Sequence, residues 1–334
     1  MCVRERWWCE ALGYINSWTE KRENHTERAR VSVCVCERET GVRSSSGYDI
    51  VLLSVCGRER EGESGRRKRL WMNVDEEQVQ DLALLLTENV ITSFGDVSLR
   101  GFDLASVTPG QWLTDNVIAY DLAKLDAKAA AAGVQLFDPS VSYLLRFGGD
   151  DVISSVIHER SRNEHLQHTP TTTALAFVIN DNTNVERARG GTHWSVLVFE
   201  KSKARFTHFD SIPGSNETCA RELAMKLAPH LVADHQAALA SKEFIKEHEF
   251  VPRQQNAHDC GIFTLLNIHE LVEYYELESA SSTITDDHNR TASDIRTLNV
   301  QTELQAQAPD FRNKLAQSII FDARRYAQHK KEGR

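Results

Sequence analysis

Apolar positions change period along the chain, and the changes mark its elements. After Asp75-Glu76-Glu77, acids suited to the positive end of a helix dipole, Val79, Leu82, Leu85 and Leu86 form a helical stripe that Gly95-Asp96 breaks. Pro109-Gly110 marks a turn, and Trp112 to Leu125 predicts a second helix. Residues 147–173 are polar and read as loop with a short helix. Three strands follow, at Thr173–Asn180, His193–Phe199 and Arg205–Asp210. The first two are separated by the polar loop Asp181–Gly191, the last two by the four residues Glu200–Lys203. Glu217–Leu227 reads as a helix and Phe244–Val251 as a strand. Ile262, Leu265, Leu266, Ile268 and Leu271 predict a buried helix. Residues 277–310 read as loop or linker, and Phe311–Tyr326 as a last helix with Leu315, Ile319 and Phe321 apolar. Before residue 72 only Asp49–Cys56 reads as a strand.

Composition adds boundaries to this pattern. The chain has 334 residues, with 41% hydrophobic and 26% charged, enough to bury a core. Its net charge of −9 argues against a nucleic-acid partner, which calls for a basic footprint. No apolar run has the length of a membrane span, and Arg4, Glu5 and Arg6 interrupt any signal-peptide core. Residues 1–71 carry 14 Lys/Arg and 11 Asp/Glu, which leaves 25 and 37 for the rest, so a basic segment precedes a strongly acidic one. Five of the seven cysteines also lie before residue 57. Residues 1–71 therefore read as a disordered or non-native extension, with Met72 as an alternative start and Arg66-Arg67-Lys68-Arg69 as a possible nuclear signal. Residues 72–334 form the expected catalytic domain, with a core at about 95–275 and a C-terminal helix. The odd cysteine count fits a reducing compartment, cytoplasmic or nuclear. The glycosylation patterns at Asn24, Asn216 and Asn289 then read as chance matches. The expected chain is a monomer.

The candidate chemistry lies where these elements end. With Phe199 facing Ala204 across the hairpin, His193 falls opposite Asp210, side by side on one face. Cys260 stands where a loop meets a helix, and a helix N-terminus favours a thiolate. His193 is suited to activate it and Asp210 to orient the imidazole. The amide of Gln254 and the Cys260 backbone N–H suit an oxyanion hole. Each residue also has a plainer role: an inert buried thiol, a structural histidine, an aspartate starting a turn. Cys219 competes as nucleophile but lies inside a helix pattern, and His208 and His258 compete as base. His158, His165 and His168 read as solvated side chains, not a metal site.

Gly190-Gly191-Thr192-His193-Trp194-Ser195, then Phe209-Asp210-Ser211, then Gln254 through Asp259-Cys260-Gly261 resemble the ubiquitin-like-protease family, the sentrin-specific cysteine proteases. Ile179 to Asn184, Gly95 to Leu99 and Trp112 to Asp115 are similar to its deneddylase branch. The resemblance implies an α+β, papain-like cysteine protease fold with the catalytic order permuted to His, Asp, Cys. It implies His193, Asp210, Cys260 and Gln254 as catalytic residues, and no metal or cofactor. Trp194 would roof a tunnel for a modifier's C-terminal Gly-Gly, with Trp112, Asp115 and Asn182 as further substrate-binding residues. The activity implied is isopeptidase and endopeptidase cleavage of a ubiquitin-like modifier, in deneddylation and precursor processing. SUMO with the same triad, or a non-catalytic modifier-binding module, are the alternatives. The Ala257-His258 pair, Arg187 and Arg189 in the covering loop, and the long 277–310 segment depart from the family pattern.

Overall fold

A computed structural model of the chain describes residues 33–34, 54–55, 89–157, 172–186, 190–249, 251–281 and 298–332. Contacts divide the chain into Met1–Leu86 and Thr87–Arg334. In the first unit Val33–Cys34 (β1) pairs antiparallel with Ser54–Val55 (β2), which lies inside the strand expected at Asp49–Cys56. The helix expected after Asp75, the three histidines between 158 and 168, and Arg187 and Arg189 lie outside the described residues.

The second unit opens with a hairpin of Val90–Phe94 (β3) and Val97–Arg100 (β4). Gly95, at φ 55°, makes the reversal; these residues turn a strand and do not end a helix. Gly101–Ser106 (α1) leads into Asp115–Ala131 (α2). The second helix starts three residues later than expected, because Thr114 caps it and accepts a hydrogen bond from the Val117 N–H. Trp112 is thus left on the preceding segment.

Val134–Phe137 (β5), Ala174–Asn180 (β6), Trp194–Glu200 (β7), Arg205–Phe209 (β8) and Ile245–Glu247 (β9) form one mixed sheet in sequential order. The two outer pairs are parallel and the two inner pairs antiparallel. Alternation in β6 decides its packing: Leu175, Phe177 and Ile179 point into a core with Leu197, Phe199, Phe206 and Phe244. Pro139–Phe147 (α3) and Glu217–Leu231 (α4) cover that face through Leu145, Leu223 and Leu227. Ala174, Ala176, Val178, Val196 and Val198 have the opposite parity and are equally buried, so the second face is covered too. Cys260–Ser281 (α6), which follows His235–Ala240 (α5), packs on β7 and on α2.

The hairpin register differs from the expected one by two residues. Glu200 pairs with Arg205 and Val196 with Phe209, so the loop is Lys201–Ala204, one residue further along. Glu200 belongs to the strand because its buried carboxylate accepts the Thr207 hydroxyl at 3.1 Å and the Lys203 ammonium at 3.1 Å. Ala204, at φ 47°, takes the left-handed turn position. His193 is therefore not directly opposite Asp210, but an even shift preserves the face, and the two remain diagonal neighbours.

The chain ends in Leu298–Lys331 (α7), far longer than the expected Phe311–Tyr326. It and α6 each extend into residues 277–310, which are therefore not a loop throughout. The buried stripe of α7 runs Leu304, Ala308, Arg312, Leu315, Ile319 and Ala323, while Phe321, apolar as read, faces solvent at 61% exposure. Tyr120 and Lys124 of α2 hold Asp322 of α7 at 2.8 and 2.6 Å. No described helix is long and apolar enough to cross a membrane.

Candidate active site

One half of the site is built on the sheet. His193 immediately precedes β7, and its backbone is held from both sides. Asp181 accepts the Thr192 and His193 N–H groups at 2.6 and 3.0 Å, and Asn180 donates to the His193 carbonyl at 3.1 Å. Gly191 is required here, since a Cβ would lie 1.7 Å from the Asn180 amide oxygen. The His193 ring is buried, and its Nε2 meets Asp210 Oδ1 at 2.6 Å. Asp210, fully buried, also accepts the N–H groups of Ile212 at 2.9 Å and Asn216 at 3.0 Å. The aspartate does start a turn, and it holds the histidine as well. The other imidazole nitrogen is left for Cys260, which acts on the ring together with Asp210. Burial alone would lower the His193 pKa, but the hydrogen bonds to Asp210 and Cys260 and their charges outweigh it and raise it to about 9. Burial would raise the Asp210 pKa, but the bond to His193 and the Asn216 N–H bring it below the ordinary carboxylate value.

The other half is built on loop and helix. Cys260 is the first residue of α6 and 2% exposed. The Asn256 side chain shapes the entry to that helix by accepting the His258 and Asp259 N–H groups at 3.0 and 2.9 Å. Gln254 is fixed at both ends of its amide. Its oxygen accepts the Ser211 hydroxyl at 2.8 Å, and its nitrogen donates to the Asn256 carbonyl at 2.7 Å. An amide nitrogen carries two hydrogens, so one remains for an incoming oxygen.

Two tryptophans and a short strap complete the rim. Trp112 is 49% exposed and its indole N–H donates to the Ala257 carbonyl, above the Cys260 loop. Half-buried Trp194 donates to the Leu113 carbonyl at 3.3 Å. A Cβ on Gly261 would come within 3.0 Å of Leu113 Cβ, so glycine after the cysteine lets the strap lie against the helix. Trp112 is thus tied to the Cys260 loop, and Trp194 to the strap at Leu113. Asp115 is exposed in the first turn of α2, three residues along the strap. Asn182 stays within the covering loop: its oxygen accepts the Asn184 N–H at 3.0 Å, and its carbonyl accepts from Arg146 at 3.2 Å.

The competing groups are accounted for. Cys219 is buried in α4, where burial pushes its thiol pKa up against the opposing Arg146. His208 bonds the Ser195 hydroxyl at 2.9 Å, and burial lowers its pKa to about 4, so it is neutral at neutral pH and a poor base. His258 stays in the loop, with its ring 3.8 Å from Asp259. Asn216 is fully buried and donates to Ser195 at 2.9 Å, which excludes it as a glycan acceptor in the folded state. His208, Asp210 and Glu247 bring three potential metal-ligand atoms within 4.8 Å of one another, but His193 and two backbone N–H groups already occupy Asp210.

Residues outside the expected set hold this assembly. Asp181, Asn216 and Asn256 act through backbone groups, and Ser211 through a side chain 43 positions away, which sequence spacing does not reveal. Arg312 had a signal: a lone cation at a core position of an apolar stripe.

Residues 111–308 match the Ulp1 protease family, C-terminal catalytic domain. NEDD8-specific protease 1 of Arabidopsis thaliana is 30% identical over 188 residues, 56% of this chain and 77% of that protein. Sentrin-specific protease 8 of Homo sapiens is 28% identical over 200 residues, 58% of this chain and 86% of that protein. Among solved structures, the C-terminal Ulp1 protease domain in complex with Smt3, the yeast ortholog of SUMO, gives a TM-score of 0.45 at 16% identity, covering 75% of this chain and 96% of that chain.

Proposed function

The chain belongs to the Ulp1 protease family, a family of cysteine peptidases with an α+β papain-like fold, and we propose that it cleaves after the C-terminal Gly-Gly of a ubiquitin-like modifier, most favourably the neddylation modifier. The observation that carries this reading is the His193 ring held between Asp210 and Cys260 at a helix N-terminus. The NEDD8 specificity named for the Arabidopsis thaliana relative favours the modifier choice. Residues 72–334 form the catalytic domain in this reading, and its place is the cytoplasm or nucleus.

Cys260 Sγ attacks the carbonyl carbon of the last glycine. A neighbouring imidazolium favours the attacking thiolate, and a pKa near 9 keeps His193 protonated at neutral pH. The oxyanion is held by the free amide hydrogen of Gln254 and the Cys260 N–H. His193 then gives its proton to the departing lysine or peptide amine, the C–N bond breaks, and a thioester remains. Water, deprotonated by His193, hydrolyses the thioester and frees the thiol. Asp210 keeps Nε2 protonated throughout, so the ring offers Nδ1 to the sulfur. In this reading Trp112 and Trp194 flank the modifier's tail, and glycine is selected by steric exclusion.

The test is covalent capture. Full-length protein is incubated separately with neddylation modifier, SUMO and ubiquitin carrying a C-terminal electrophile, and the products are weighed intact. The expected result is an adduct on Cys260 with the neddylation modifier. An adduct with SUMO alone overturns the modifier choice, and no adduct from folded protein overturns the enzymatic reading.

A further inference from the structure

Arg312 lies four residues beyond the family match, on the last helix, and is 4% exposed. All its donors serve two short backbone segments. Nη1 reaches the carbonyls of Ser106, Val107 and Thr108 at 3.3, 3.3 and 3.2 Å. Nη2 reaches the Gln111 carbonyl at 3.2 Å, the His258 carbonyl at 3.4 Å and Asp259 Oδ1 at 2.6 Å, and Nε meets the same oxygen at 3.1 Å. Gln111 directly precedes Trp112, and Asp259 directly precedes Cys260. One guanidinium therefore touches the residue before the rim tryptophan and the residue before the thiol.

The contact extends further through Asp259. Its other oxygen accepts the Asn256 amide at 2.7 Å, and the Asn256 carbonyl accepts Gln254 at 2.7 Å. Gln254 in turn holds Ser211, next to Asp210. A planar guanidinium with five donors suits this fan of acceptors; an ammonium cannot span it.

We propose that Arg312 is a positioning residue that sets the Trp112 strap, Cys260 and Gln254 in register with one another. The proposal rests on the reading of Cys260 as nucleophile. It assigns to the last helix a part in the reaction in addition to packing. Its loss displaces reacting atoms while leaving the sheet-borne His193–Asp210 pair in place. Displacement by about 1 Å costs about a hundredfold when geometry is critical.

The test uses Arg312→Lys, which keeps a cation opposite Asp259 but loses the carbonyl fan, and Asp259→Asn, which keeps the fan but loses the ion pair. Arg312→Ala is a third variant for which folding is first checked by thermal melting. Two readouts are taken on folded full-length protein. The first is kcat and KM for hydrolysis of the aminomethylcoumarin amide of the neddylation modifier's C-terminal glycine. The second, which needs no modifier, is the rate of Cys260 alkylation by iodoacetamide at pH 6. Arg312→Lys is expected to lower kcat and the pH 6 alkylation rate each by about tenfold or more, with KM within about threefold. A change in alkylation supports the positioning role even if the wild type does not turn over the neddylation modifier, an outcome that sinks the modifier choice alone. Wild-type kcat and alkylation in both folded variants, or an effect confined to KM, overturns the proposal.

Discussion

The site's two halves are held in place by different means. His193 and Asp210 sit at the ends of paired strands, where a continuous backbone ladder fixes the face, and side chains such as Asp181 and Asn216 refine the position. Cys260, Gln254 and Trp112 sit on loop and helix start, where no ladder exists and side chains bind backbone carbonyls one at a time. A ladder tolerates a register change of two residues without turning a side chain away. A loop has no such tolerance, because each contact is local. The sheet half is therefore robust in placement and decisive in electrostatics, and the loop half is the more fragile in geometry.

The comparison is broken most severely by removing the electrostatic partner in the sheet. Asp210→Asn should lower kcat by about three to four orders of magnitude while the protein still folds, as read by steady-state turnover and circular dichroism. It should also move the pH profile. His193 titrates near 9 against an ordinary 6.5, raised chiefly through Asp210, so kcat/KM should fall as pH rises through about 9 in the wild type and at lower pH in the variant. The stability contribution has the same sign: it is full below 6.5 and is lost as pH rises through 9. A wild-type alkaline limb near 6.5 would count against the described pair. Next, Gln254→Ala should reduce kcat by about a hundred- to a thousandfold with little change in KM, measured on the same amide substrate. A rise in KM alone would place Gln254 on the substrate tail, away from the oxyanion. Smaller again, Trp112→Ala should raise KM by about tenfold and leave the alkylation of Cys260 close to wild type. The smallest effect sharpens the contrast in geometry. Gly261→Ala must move Leu113 by only a few tenths of an ångström, so a loss of about threefold in kcat/KM is expected; an unchanged enzyme would show that the strap has room to spare.

What was legible in the sequence follows the same division. Buried strands announce themselves by apolar runs, so β6, β7 and β8 were found to within a residue, and with them the His193–Asp210 face. The register was missed because Glu200 looks like a loop residue until Thr207 and Lys203 are seen to satisfy its carboxylate. The β3–β4 hairpin was missed because its strands are five and four residues long, and a Gly-Asp pair ends a helix as readily as it turns a strand. Cys260 was legible from a loop running into an apolar helix. Its supports were not, since Asn256, Ser211 and Arg312 act on groups distant in sequence or on the backbone, which every residue carries. The extent of α7 was hidden by Pro309 and by a polar first half.

The last helix also has a consequence for how the protein is made. Ribosomes deliver His193, Asp210 and Cys260 in that order, and the strands of the central sheet all precede the thiol. Arg312 follows Asp259 by 53 positions and brings the only described cation that joins the 106–111 and 258–259 carbonyls. At roughly 5–20 residues per second, several seconds separate synthesis of the thiol from synthesis of its clamp. During that interval the nascent polypeptide carries a thiol whose surroundings are unfinished, so completion of the site waits for the arrival of Arg312.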